Sequence, residues 1–472
     1  MLTEILHLDE TIISFLNNKK AICLVDGEHY PPVIKGAVKS LEEKDIEIEA
    51  LFFLGGTEKI EDIEGELSDI TENCELVMNP DQSDFKKLEE AIINHNAEII
   101  IDLSDEPVVD YQSRFRIASI TLKNGLTYLG ADFFFTPPQA KDVLTKPSIS
   151  IIGTGKRIGK TAMGVTISRI LKKNDFEPVV VCMGRGGPAE PEIVNADEMN
   201  INADSLIKVA EQGHHAASDY WEDALLGQIK TVGCRRCGGG MAGNPFYSNV
   251  IQGAKIANQL DKKFIIMEGS GSTFPPIATN KTITLSGGSQ PLWKIFDYFG
   301  RYRIMLADLV IVTMCEKPMA DKNKVEAIKK GIREINPDAE LALTVFRSEP
   351  MGNISGKRVF IATAAKADTK DLIVAPLENN YDCEIVGYTN SLSNREKLRK
   401  ELDAGLTNAD VLLTEIKAAS IDTAARKAKE MGVEIIFMHN RAQVIGGTVD
   451  SLEAPILSVC NQAIELMDSN SR

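Results

Sequence analysis

An α/β fold built from three consecutive parts, each with a mostly parallel sheet, follows from three observations: the length, the alternation of element types, and one strand-loop-helix signature. The chain has 472 residues, about three domains at ~100–200 residues each, every one long enough to bury its own core. Hydrophobic residues make up 43% and charged residues 25%, the usage of a chain that folds throughout. Short apolar runs alternate with amphipathic stretches almost everywhere, as expected of parallel strands joined by crossover helices.

The first part, residues 1–146, has strand-like runs at 21–25, 47–54 and 97–103 and a helical run at 85–95. Pro137-Pro138 and Lys146-Pro147 mark its end, because the residue before proline is steered out of helix. The second part, residues 147–355, opens with a strand at 148–152 that runs straight into a glycine-rich turn and a helix at 162–173. Further strands are predicted at 178–183, 263–267, 308–314 and 340–346, and Ser355-Gly356-Lys357 reads as a linker. The third part, residues 356–472, repeats the alternation with strands at 358–362, 384–386, 411–413 and 434–437 and helices at 394–404 and 421–431. Repeats and low-complexity stretches are absent.

Charge narrows the function classes. With 52 Lys+Arg against 68 Asp+Glu the net charge is −16, so the average surface repels nucleic acid and acidic lipid. The longest apolar run, 306–315, is interrupted by Asp308 and falls far short of the ~20 residues that cross a bilayer. The first twenty residues carry Glu4, Asp9 and Glu10 and no basic leader pattern. A soluble, cytoplasmic protein with no nucleic-acid or membrane partner is predicted. Six of the eight cysteines are scattered and read as reduced core residues; Cys234 and Cys237 have metal-like spacing but lack a second ligand pair, so no metal is expected there.

The strongest chemical signal is Gly153-Thr154-Gly155-Lys156-Arg157-Ile158-Gly159-Lys160-Thr161, followed by Ala162 and the helix. Successive backbone N–H groups at a helix start cradle phosphate, the lysine reaches the β/γ-phosphates of ATP, and the hydroxyl meets Mg²⁺. Thr154 stands where the usual loop has its first glycine, with Gly153 one residue earlier. Residues 143–174 contain seven basic residues and no acid, which concentrates positive potential at this loop. The central part is therefore predicted to be of the P-loop NTPase type, and the outer parts Rossmann-like. At the end of another apolar strand, Glu268-Gly269-Ser270-Gly271 offers the acid such a site needs, and Glu268 is the candidate Mg²⁺ ligand.

Two more clusters suit a polyanion. Gly184-Arg185-Gly186-Gly187-Pro188 follows a strand, where ligands gather in open sheets, and Arg185 can fork onto a phosphate. Gly233-Cys234-Arg235-Arg236-Cys237-Gly238-Gly239-Gly240 lies in residues 224–260, with four basic residues and no acid. It reads as a glycine-rich loop whose arginines wrap an anion. Between them, His214 or His215 with Asp219 forms either a proton-handling pair or a plain helix start. Val25-Asp26-Gly27-Glu28-His29-Tyr30-Pro31 places Asp26 at another strand end.

The loop resembles that of the dethiobiotin synthetase and cobyrinic acid amide synthase group, and the Glu268 segment is similar to the Val-Glu-Gly-Ala-Gly of dethiobiotin synthetases. The loop, the stretch from Gly184 to Glu192, the Gly-Cys-Arg-Arg-Cys-Gly-Gly-Gly stretch and the opening Val-Asp-Gly-Glu-His-Tyr-Pro together resemble the cyclic 2,3-diphosphoglycerate synthetases of methanogenic archaea. The resemblance spans essentially the whole chain. It implies ATP-dependent, Mg²⁺-requiring closure of 2,3-diphosphoglycerate into a cyclic phosphoanhydride with release of ADP and phosphate, and it implies a homodimer. Under it Lys160 serves the β/γ-phosphates, Thr161 and Glu268 the metal, and Lys156 or Arg157 the transition-state charge. Arg185, Gly186, Gly187, Arg235, Arg236, Gly238, Gly239, His214 and Asp26 are the substrate-side candidates. Two other readings stay open: a ligase or kinase of the same group acting on a different small anion, and a P-loop switch ATPase.

Overall fold

The computed structural model describes residues 10–68, 70, 74–79, 85–196, 202–211, 218–417 and 419–470. They form two compact units: Met1–Pro138 with Leu292–Leu306, and Gln139–Pro291 with Ala307–Arg472.

The first unit holds β1 (Lys20–Val25), β2 (Glu47–Phe53), β3 (Glu75–Met78), β4 (Ile99–Asp102), β5 (Thr127–Leu129) and β6 (Phe134–Phe135), in the order β3-β2-β1-β4-β5-β6. All neighbours are parallel except β5 and β6. Buried, near-continuous apolar runs such as Ala21 to Val25 are what a strand covered on both faces requires. The helix Pro31–Glu42 starts on two prolines, tolerated in a first turn, and buries Ile34, Val38 and Leu41 at three- and four-residue spacing.

The second unit continues with β7 (Ser148–Gly153), β8 (Pro178–Gly184), β9 (Glu192–Asn195), β10 (Lys230–Cys237), β11 (Tyr247–Ser248), β12 (Phe264–Glu268), β13 (Lys281–Gly287), β14 (Leu309–Thr313) and β15 (Glu340–Pro350). The last strands are β16 (Arg358–Ala362), β17 (Glu384–Thr389), β18 (Val411–Thr414) and β19 (Glu434–Gly447). They join in one path, β11-β10-β8-β12-β7-β13-β14-β15-β19-β18-β16-β17, with β9 on β10. From β10 to β15 every neighbouring pair is parallel, which brings the carboxyl ends of β7, β8 and β12 to one edge. That edge is where open α/β sheets bind ligands.

Several elements differ from the sequence-based expectation. The residues after Gly233 are not a loop at first: Lys230–Cys237 is a strand, paired with β8, β9 and β11. The strand expected to end at 437 runs on to Gly447, because its polar residues alternate with inward ones and the added length pairs antiparallel with β15, from Ala342↔Gly447 to Pro350↔Met438. The helix expected at 421–431 opens as a π-helical turn, Ser420–Ala425, before Arg426–Glu430. β19 thus carries the C-terminal strands into the same sheet as the phosphate-loop strands. No described helix is long and apolar enough to cross a membrane.

Candidate phosphate-binding active site

The loop after β7 is held by its own small and apolar residues. Thr154 is buried, its hydroxyl donating to Gln290 Oε1 at 2.7 Å and its N–H to Leu285 O at 3.0 Å. A side chain that finds this acceptor explains threonine where a glycine is usual. Ile158 is 1% exposed and its carbonyl accepts from Thr313 Oγ1 at 2.7 Å. Its side chain fills the space that a Cβ would need at Gly153. Gly159, with φ +75°, precedes the helix Lys160–Lys173, and a Cβ there would strike the Phe346 ring. Only glycine meets both conditions. Lys160 reaches back over the turn, its Nζ donating to Gly271 O at 2.5 Å.

These residues border a cavity of about 360 Å³. Gly155, Lys156, Arg157, Lys160, Thr161 and Ala162 line it from the loop and helix, and Arg185 from the end of β8. Partial loss of hydration, with Arg185, Arg157 and Arg236 nearby, holds the Lys156 amine below its ordinary value. A crowd of cations at one cavity calls for an anion. Acids line the cavity too: Asp219 and Glu222 from the helix Asp219–Gly227, Glu268 at the end of β12, and Glu415. Glu268 is 4% exposed, and burial foremost, with Asp219 and Glu222 adding to it and a hydrogen bond with Asp223 and the Lys160 charge opposing, pushes its carboxyl up to about 8. Lys417 Nζ lies 3.0 Å from Glu222 Oε2 and pairs with that carboxylate.

The substrate-side candidates divide. Arg236 donates to Ser270 O at 2.8 Å and Gly238 O at 2.9 Å, and burial foremost, then Arg185, lowers its pKa. Arg235, its strand neighbour, turns elsewhere: Nη2 donates to the Tyr247 hydroxyl at 3.3 Å, and the guanidinium sits over that ring. Neither guanidinium is in the cavity lining. Gly186 faces open space, Gly187 backs closely onto the Cys234 carbonyl, and Gly238 and Gly239 pack against Phe246 and Thr273. Asp26 belongs to the first unit, where its carboxylate accepts from Glu28 N, Asp105 N and His29 Nδ1. His214 lies outside the described residues.

Comparison with known proteins bears on this geometry. Family models described as the N-terminal, P-loop and C-terminal domains of cyclic 2,3-diphosphoglycerate synthetase match residues 20–136, 148–345 and 350–441. The cyclic 2,3-diphosphoglycerate synthetase of Methanothermus fervidus is 49% identical over 96% of this chain and 99% of its own length. The chain belongs to the cyclic 2,3-diphosphoglycerate synthetase family. The same-named protein of Methanothermobacter thermautotrophicus is 49% identical over 94% of this chain and 96% of its own. The crystal structure of LpxK from Aquifex aeolicus in complex with ATP aligns with 75% of this chain and 96% of its own at 13% identity and TM-score 0.42, too distant to bear on chemistry.

For a synthetase of this family the cavity wall also contains residues that sequence reasoning missed. Glu222, Glu415, Lys417, His439 and Asn440 all line it. The last four come from the C-terminal segment, more than 250 residues from the loop, and only the pairing of β19 with β15 and β18 brings that segment there. Asp219 had a weak signal, its spacing from His215.

Proposed function

We propose that the chain closes 2,3-diphosphoglycerate into cyclic 2,3-diphosphoglycerate at the expense of ATP. One substrate phosphate attacks the γ-phosphorus of ATP, the bond to the β,γ-bridging oxygen breaks, and ADP leaves. The second substrate phosphate then attacks the phosphorus of the activated one, forms the cyclic phosphoanhydride, and expels inorganic phosphate. No covalent bond to the protein is needed; neutralising and aligning anions is the catalytic task.

The observation that carries this reading is the cavity itself, which Lys156, Arg157, Lys160 and Arg185 line together with Asp219, Glu222 and Glu268. Four cations suit ATP and a bisphosphate together, and the cationic side chains offset the repulsion between attacking and receiving phosphates. In this reading Lys160 serves the β/γ-phosphates with the N–H groups of Gly155 to Ala162, Arg157 or Lys156 takes the charge on the transferring group, and Arg185 with Arg236 receives the substrate. Gly186 and Gly187 shape the turn that carries Arg185, and Gly238 and Gly239 the turn that follows the strand of Arg236. The Thr161 hydroxyl and the Glu268 carboxylate are hard oxygen donors that fit Mg²⁺, which when bound would draw charge from the β- and γ-phosphates. Residues 147–355 form the catalytic part, with 1–146 and 356–472 as support and substrate closure, in a cytoplasmic homodimer.

Phosphorus NMR of the protein with ATP, Mg²⁺ and 2,3-diphosphoglycerate tests the reading. A cyclic phosphoanhydride signal beside ADP and phosphate is expected, and Lys160→Ala should abolish it. ATP consumption without that signal would assign the cavity to another small anion; no substrate-stimulated turnover would favour the switch ATPase.

A further inference from the structure

One buried cluster in the second unit has no place in that reaction scheme as a set. Cys182 and Glu268 are register partners on the neighbouring parallel strands β8 and β12, so their side chains leave the same face of the sheet. The helix Asp219–Gly227 packs on β8 and brings Asp223 to that face. One ligand atom from each residue, the Cys182 thiol sulfur and a carboxylate oxygen of Asp223 and of Glu268, lies within 4.8 Å of the others. The residues are 3%, 2% and 4% exposed. Neither Asp223 oxygen nor Oε1 of Glu268 accepts from any donor outside the cluster, and the two carboxyls and the Cys182 thiol meet one another. Buried acceptors short of donors are costly, and a missing ion is one standard reason for them. Space has been kept for the arrangement: at Gly164, on the phosphate-loop helix, any Cβ would collide with Glu268 Oε1.

We propose that Cys182, Asp223 and Glu268 bind a thiophilic divalent cation of the zinc or cobalt class, separate from the Mg²⁺ that accompanies ATP. A thiolate selects against Mg²⁺, which takes oxygen donors, and favours borderline-soft ions. Three protein ligands leave a tetrahedral ion one position for water. Cys182 and Glu268 both line the cavity, which gives the ion its way in, and two oxygens let Glu268 serve both metals. Binding exchanges the thiol proton, released to buffer, for a sulfur–metal bond. The ion ties β8, β12 and the helix Asp219–Gly227 together at the cavity wall.

The test needs neither nucleotide nor substrate, so its outcome is independent of the cyclisation reading. Full-length protein, reduced and stripped with chelator, is titrated with Co²⁺ while the near-ultraviolet sulfur-to-cobalt charge-transfer band is followed. A band saturating at one ion per chain is expected, and it should survive roughly a hundredfold excess of Mg²⁺. Cys182→Ala should abolish it, and Asp223→Asn should weaken Co²⁺ binding by about tenfold or more. Cys237→Ala, which alters the exposed thiol, should leave the band unchanged. No band, a band that persists in Cys182→Ala, or one lost in Cys237→Ala overturns the proposal. If alanine at 182 prevents folding, Cys182→Ser keeps the volume; it should lose the band while keeping the wild-type circular dichroism.

Discussion

His439 shows how much of the site rests on single buried groups. It is 6% exposed, with Arg169 Nη1 donating to its Nε2 at 2.6 Å and Glu349 Oε2 3.1 Å from the same nitrogen. Burial foremost, then Arg169 and Arg441, brings its pKa down to about 4. An unfolded chain has this group near 6.5, so between pH 6.5 and 4 the unfolded state binds a proton that the folded state refuses. Stability is then complete above pH 6.5 and falls as the pH drops through that window, by about 3 kcal/mol at most. His439→Gln should flatten the fall by about 2 kcal/mol when unfolding free energies at pH 6.5 and 4.5 are compared; an unchanged slope would mean the ring takes up its proton in the folded state. Nothing local marks this residue, a lone histidine after an apolar run. Lys160, Thr161 and Glu268 are legible from sequence for the opposite reason, since the loop and the strand-end acid each work within a few consecutive residues.

At the scale of elements, strand β10 marks the limit of motif reading. Glycines at 233 and 238–240 give the stretch the look of a loop, yet pairing with three neighbouring strands overrides their weak strand preference. The consequence is chemical. Adjacent residues of a strand face opposite sides, so Arg235 and Arg236 separate, one toward Tyr247 and the other toward Ser270. Arg185, in the turn after β8, reaches the cavity. Arg185→Ala should raise KM for 2,3-diphosphoglycerate by about tenfold or more, the loss of a charge-assisted contact, while Arg235→Ala should change it by less than about threefold. Equal effects from the two would mean that Arg235 swings away from Tyr247 when substrate arrives. The phosphate-loop helix itself was readable to within two residues, 162–173 against Lys160–Lys173, because glycine, lysine and the apolar period all point the same way.

For the whole molecule, alternating strands and helices correctly announce an α/β chain, but they do not say which strands share a sheet. The C-terminal strands look self-sufficient in sequence, yet β19 pairs with β15 on one side and β18 on the other. A fragment of residues 147–355 would leave β15, eleven residues long with Leu341, Ala342, Leu343 and Val345 buried, as a bare sheet edge of the kind that drives aggregation. It would also lack Glu415, Lys417, His439 and Asn440 from the cavity wall. Such a fragment should be largely insoluble, and whatever stays in solution should give less than about 1% of full-length turnover in the phosphorus NMR assay, a barrier increase of about 3 kcal/mol. A monodisperse fragment with full turnover would show that the C-terminal segment neither completes the sheet nor contributes to the chemistry, leaving Lys156, Arg157, Lys160, Arg185 and Glu268 to carry the reaction alone.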